Sequence, residues 1–363
     1  MGQQGGFSWT GDTFAFRTGV NLGGWLSQRE VPQLKTGLGQ QEHYATFITE
    51  DDIAVIADWG FDHVRLPFDY DLVELEDKPY TYKEEGFLHI DNCIEWCRKR
   101  GLGVLLDFHR PYGISYDRNA VNPLLGEPAN RERYLALWRV LARRYASVRE
   151  GLIFELLNEV VDCTGYMYKE LIRQAIAAVR GADAARPIMI GGNMHNSVYT
   201  LKELELLDDP AIVYTFHFYE PVPFTHQKAY FCDDLSLYNR TIDYPGDFPG
   251  FVEFLNKHPE HADKNRSYVW TENTFKQMEH NLREALLFVE HTGKPLYCGE
   301  FGVIDMAPAD SAGRWLSDFI GLLDQYGIPR AYWSYKDMDY GLVDIHGNVR
   351  DMELVEIIAS KRR

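Results

Sequence analysis

Two glutamates stand directly after apolar runs: Glu159 closes "FELLNE" (154–159), and Glu300 lies within "LYCGEFG" (296–302). The run Leu152-Ile153-Phe154 with Leu156-Leu157 has the composition of a strand buried on both faces, although Glu155 is out of place inside it. Other short apolar runs also end in residues able to do chemistry. Arg65 falls in "DHVRLPFDY", Asp107 and His109 in "LLDFHRP", Asn158 beside Glu159, His217 and Tyr219 in "YTFHFYEP", and Trp333 in "AYWSYKDMD". Singly, each has a structural reading: a strand-end arginine can be an ion-pair partner, and Glu159 can cap the next helix. Together they point to a site, because unrelated accidents would not all fall at the same ends of their strands. The chemistry that two carboxylates can carry is glycoside hydrolysis. One acid protonates the leaving oxygen while a second carboxylate faces the anomeric carbon, acting as nucleophile when the two are about 5–5.5 Å apart. In that scheme Arg65 and a neighbouring histidine or tyrosine keep Glu300 ionised, while burial raises the proton affinity of Glu159. The Asn158 amide suits a sugar 2-hydroxyl, and Trp333 offers a flat apolar face to a pyranose ring.

The elements that must position these residues alternate regularly. Strands are predicted at Thr18–Gly23, His63–Pro67, Gly103–Phe108, Leu152–Asn158, Pro187–Gly191, Ile212–Tyr219, Pro295–Glu300 and Ala331–Trp333, with helical patterns between them. "TEDDIAVIADWG" carries an N-cap signature in Thr49 and Asp52 and stops at Gly60, and "HIDNCIEWCRKRG" ends in basic residues before Gly101. Eight such units predict an α/β fold, a closed (β/α)8 barrel whose active site lies at the C-terminal ends of its strands. An open doubly wound sheet would need a G-x-G-x-x-G run after an early strand, and none occurs there. Strands four and seven face each other across such a barrel, so Glu159 and Glu300 converge over its mouth. The reading is one domain over residues 1–363, with an insertion at about 220–275 after the sixth strand, rich in aromatics, proline and glycine.

Composition narrows the partners. With 37 basic against 54 acidic residues the formal charge is −17, which disfavours nucleic acid and anionic membrane surfaces. No apolar run approaches 18 residues, so no membrane span is predicted. The five cysteines form no C-x-x-C pair and suggest neither a disulfide framework nor a zinc site. The start "MGQQGGFSWTGDTF" has no basic region followed by an apolar one, which reads as cytoplasmic, or as secreted had a leader been removed. No cofactor or metal is expected, neutral substrates and cationic partners remain open, and the chain reads as a monomer.

The set Arg65, His109, Asn158-Glu159, His217, Tyr219, Glu300 and Trp333 resembles glycoside hydrolase family 5, a family of retaining (β/α)8 glycosidases, and most of all its bacterial endoglucanases. The resemblance runs from "GVNLGGWL" at the first strand to "AYWSYKDMD" at the last. It implies Glu159 as acid/base and Glu300 as nucleophile. It further implies Arg65 and Tyr219 holding the nucleophile, His217 supporting Glu159, and Asn158, His109 and Trp333 lining the cleavage subsite. Asn21 and Asn193, at the ends of strands one and five, are expected sugar contacts. Trp25, Trp270 and Phe224 are candidate stacking platforms, and Lys336 and Asp339 candidates for a more distant subsite. The implied activity is a retaining endo-β-1,4-glucanase acting on a β-glucan poly- or oligosaccharide. β-1,3-glucan, mannan or glucomannan, and cello-oligosaccharides are alternative substrates on the same scaffold. Two readings of other kinds are a non-catalytic carbohydrate-binding protein, which would lack one carboxylate, and a metal-dependent hydrolase, which would normally begin with an H-x-H pair at the first strand.

Overall fold

The computed structural model describes residues 16–262 and 272–360. Eight strands close into a barrel: Thr18–Asn21, His63–Asp69, Gly103–Arg110, Leu152–Glu155, Ile188–Gly191, Ile212–Phe218, Leu296–Phe301 and Arg330–Tyr332. Each lies beside its neighbours in the chain, and the first closes onto the eighth in parallel register, Thr18 opposite Arg330. The expected fold is therefore the observed one, with all eight predicted strands in place.

The strands are buried on both faces, and alternation along them separates two cores. Leu105, Ile153, Met189, Val213, Tyr297 and Ala331 fill the lower barrel together with Phe16, whose ring stacks on His63 at 4.5 Å. Residues between them, such as Val64, Val104, Leu106 and Phe154, turn outward into the larger core beneath the helices. Those helices begin and end as their sequences dictate. Thr49 and Asp52 form the reciprocal capping box of the helix Glu50–Asp58. The helix Glu84–Lys99 carries Arg98 and Lys99 in its last turn, with Gly101 just beyond in the left-handed conformation.

Strand four stops at Glu155, four residues before the candidate acid. The chain nevertheless stays between its neighbours, because the Leu156 amide donates to Met189 and the Asn158 amide to Phe108. Glu159 then adopts φ +44°, a left-handed conformation costing a non-glycine residue about 1–2 kcal/mol. A register shift between Phe216 and His217 similarly places His217 directly opposite Glu300.

The long connection from strand six to strand seven holds the helices Asp233–Tyr238 and Phe251–Lys257 and a two-residue antiparallel pairing of Gly246–Asp247 with Glu272–Asn273. It is fastened to the helix Ala309–Gln325 by the Tyr244 hydroxyl donating to Asp318 and by Arg314 donating to the Tyr244 carbonyl. No helix among the described residues is long and apolar enough to cross a membrane. The five cysteines are free thiols, with Cys93 and Cys97 buried as ordinary core.

Candidate active site

Arg65 is the hub of the barrel mouth. Fully buried, its guanidinium donates to both oxygens of Glu155 (2.7 and 3.1 Å), to Asn21 and Asn158 Oδ1 (2.9 Å each) and to Glu300 Oε1 (2.7 Å). It also lies 3.0 Å from Asp107 Oδ2. Burial alone would lower the proton affinity of Arg65, but the surrounding Asp107, Glu155 and Glu300 carry it well above its ordinary value. The inner carboxyls respond oppositely: burial raises Glu155, and pushes Asp107 up to about 6, despite the attraction of Arg65. This explains the acid inside an apolar strand, since Glu155 is the main anchor of Arg65. A lysine cannot replace a planar fork of donors. Arg65→Lys is therefore expected to cost about 3–5 kcal/mol by leaving buried carboxylates unpaired. A urea midpoint matching that of the wild type would contradict this role.

The two candidate catalytic acids differ in setting. Glu300 is nearly buried (7% exposed), held by Arg65 on Oε1 and by the Tyr219 hydroxyl on Oε2 at 3.1 Å. Glu159 is a quarter exposed, and its Oε1 accepts from His217 Nδ1 at 2.8 Å. The same nitrogen lies 3.6 Å from Glu300 Oε2. One oxygen from each glutamate and one His217 ring nitrogen all lie within 4.8 Å of one another, and no other trio of potential ligands is so placed among the described residues. Of these contacts the one between His217 and Glu159 is a hydrogen bond, and Glu300 stands just beyond bonding distance of the same nitrogen.

Glu159 departs from expectation. Burial does raise its proton affinity, but contacts with His195 and His217 outweigh it and hold the carboxyl well below the usual range. For His217, burial acts to lower the proton affinity, yet the charges of Glu300 and Glu159 leave it raised. Both shifts favour a proton held between the two groups on the His217 side, where Nδ1 lies 2.8 Å from Glu159 Oε1. The sequence-based expectation of a raised Glu159 missed His195, whose Nδ1 is 3.6 Å from Glu159 Oε2.

His109 Nδ1 lies 2.7 Å from Asp107 Oδ2, and burial pushes this imidazole down to about 4, so the ring is neutral with its proton on Nδ1. Its Nε2 then accepts from Gln28 Nε2 at 2.8 Å and faces Asn158 Nδ2 at 3.4 Å. Trp333 stacks parallel to His109 at 5.8 Å. A Cβ on Gly23 would come within 2.8 Å of the Trp333 indole, so glycine in "GVNLGGWL" makes room for that ring.

Not every predicted contact faces the mouth. Asn21 is fully buried, donates to the carbonyls of Gly299, Ala331 and Tyr332, and braces Arg65 instead of reaching a sugar. Asn193 joins its amide to the backbone of Asp162, pinning two loops together. Trp25 is core, its indole donating to the Tyr44 carbonyl, and Phe224 is packed against Tyr244, so neither is a stacking platform. Lys336 donates to the Phe47 carbonyl at 2.9 Å and Asp339 pairs with Lys35. Trp270 lies outside the described residues. Gln28, His195 and Asn196 are site residues that sequence reasoning missed. The only signal was that His195 and Asn196 adjoin Asn193 at a strand end.

The sequence matches the profile of the cellulase family, glycosyl hydrolase family 5, over residues 26–339. It is 42% identical to endoglucanase C of Acetivibrio thermocellus over 352 residues, covering 96% of this chain and 99% of that one. It is 34% identical to cellodextrinase A of Ruminococcus flavefaciens, covering 86% and 83%. The structure of endoglucanase Cel5A from Thermotoga maritima superimposes with a TM-score of 0.74 at 24% identity, covering 94% of this chain and 96% of that one, a likeness of fold. A family profile spanning most of the chain and a relative this similar along its whole length agree: the chain belongs to glycosyl hydrolase family 5 and is a glycoside hydrolase.

Proposed function

We propose that the chain is a retaining endo-β-1,4-glucanase in which Glu159 is the acid/base and Glu300 the nucleophile. The observation that carries this reading is the approach of the two carboxylates. Carboxylate oxygens that approach within 4.8 Å fit the short separation of a double-displacement pair, about 5–5.5 Å, better than the roughly 6.5–9.5 Å of an inverting one. Glu300 attacks the anomeric carbon as the bond to the leaving oxygen breaks, and that oxygen takes the proton that Glu159 shares with His217. In the second half, the Glu159 carboxylate removes a proton from water, which attacks the same carbon and releases Glu300.

The surrounding groups have matching tasks. Arg65 and Tyr219 stabilise the Glu300 carboxylate when it departs. With its oxygen held by Arg65, Asn158 keeps its amide nitrogen, 3.4 Å from His109 Nε2, as the donor for the 2-hydroxyl, a contact that strengthens in the transition state. Neutral His109 and the Trp333 ring line the cleavage subsite. The β-1,4-glucan substrate is favoured by the endoglucanase and cellodextrinase relatives. The test is product release from carboxymethyl cellulose, barley β-glucan, laminarin, glucomannan and cello-oligosaccharides. Hydrolysis of the first two with a rapid fall in viscosity is expected, and activity confined to laminarin or mannan would replace the substrate.

A further inference from the structure

After strand five the chain makes an unusual turn. Met194, His195 and Asn196 are consecutive non-glycine residues with φ of 50°, 63° and 51°, each in the left-handed region. Such strain, about 1–2 kcal/mol per residue, persists only where the surroundings enforce it. Here the turn does two things at once. It brings His195 Nδ1 to 3.6 Å from Oε2 of Glu159, the oxygen that His217 does not hold. It also sets Asn196 Nδ2 3.3 Å from His217 Nε2, on the far side of the same imidazole. Asn196 is fully buried and its Oδ1 has no partner, so the amide can present either atom to that nitrogen. His195 is itself steadied from outside by Tyr116, from the loop after strand three, whose ring stacks on it at 5.8 Å and 21°.

We infer that His195 and Asn196 are positioning residues that set how readily the Glu159–His217 pair gives up and regains its shared proton. The inference rests on Glu159 being the acid/base. A retaining enzyme needs that group as acid in the first step and as base in the second. His195 on Oε2 favours the carboxylate, and Asn196 on Nε2 accommodates His217 with or without its second proton. The other groups facing Glu159 are His217, Glu300, Asp107, Tyr116, Tyr219 and His226. Among them Glu300 and Asp107 repel its charge, and His195 with His217 supplies the compensation.

The test compares pH profiles. His195→Phe keeps a ring for Tyr116 to stack on but removes the nitrogens, so the pair should bind its proton more tightly. The basic limb of kcat/KM on a cello-oligosaccharide should move upward by about one in pH. On dinitrophenyl cellobioside, where the second step limits, kcat should fall several-fold, about 3–10-fold, because the base form is depleted. Asn196→Asp places a carboxylate on His217 Nε2 and should move the same limb in the same direction. Should His195→Phe fold poorly, Tyr116→Leu loosens the histidine without touching it and should produce a smaller upward move. Basic limbs that stay at the wild-type position in these variants would overturn the inference. Glu159→Ala separates this from the underlying reading: if dinitrophenyl cellobioside does not rescue that variant, the acid/base assignment itself has failed.

Discussion

Glu300→Gln is expected to abolish turnover while leaving the protein folded and able to bind cello-oligosaccharides. The substitution is nearly isosteric. The amide oxygen can still accept from Arg65, and the Tyr219 hydroxyl can turn to accept from the amide nitrogen, so both contacts that hold this side chain survive. Arg65 also keeps Glu155 and Asp107, so the hub of the barrel mouth is not left unpaired. What is lost is the carboxylate that forms the covalent bond, and removing a nucleophile in a site of this kind costs about four orders of magnitude or more in kcat. Circular dichroism and calorimetry with a cello-oligosaccharide would show fold and binding retained while hydrolysis disappears. Turnover within about tenfold of the wild type would remove Glu300 from its role.

Glu159→Ala should produce a loss that depends on the leaving group. General acid catalysis is worth about 10²–10⁴-fold when a poor leaving group must be protonated, and little when the departing oxygen is already stable as an anion. So kcat/KM should fall by that factor on β-glucan and stay near the wild-type value on dinitrophenyl cellobioside. On the activated substrate kcat should still drop, because water in the second step has lost its base. His217 would also lose the partner of its Nδ1 at 2.8 Å, so the basic limb of the pH profile should disappear with the carboxylate. Equal losses on activated and unactivated substrates would show that Glu159 acts in some other way. This separates chemistry from architecture, since Glu159 is a quarter exposed and Ala there removes no hub of the Arg65 kind.

The sequence by itself determined the barrel and the identity of the residues at its mouth. Short continuous apolar runs alternating with capped helical stretches admit few arrangements, because a fully buried parallel strand needs helices on its outer face. Once eight such units are read, the polar residues at the run ends must gather at one rim. Arg65, His109, Asn158, Glu159, His217, Tyr219, Glu300 and Trp333 do gather there. The odd Glu155 was visible too, but its purpose was not, since it depends on a guanidinium 90 residues earlier in the chain. Only the tertiary structure decided which side chains at the rim face inward and how the protons are shared. Asn21 and Asn193 end strands as the candidates should, yet one is spent on barrel carbonyls and Arg65 and the other on the Asp162 backbone. Orientation of a side chain at a strand end is set by register shifts and local φ, as at His217 and Glu159, and periodicity carries no record of either. The proton affinity of Glu159 was likewise out of reach. Burial and charge neighbours act in opposite directions on it, and the winner depends on a histidine brought to 3.6 Å by a left-handed turn that nothing in "IGGNMHN" announces.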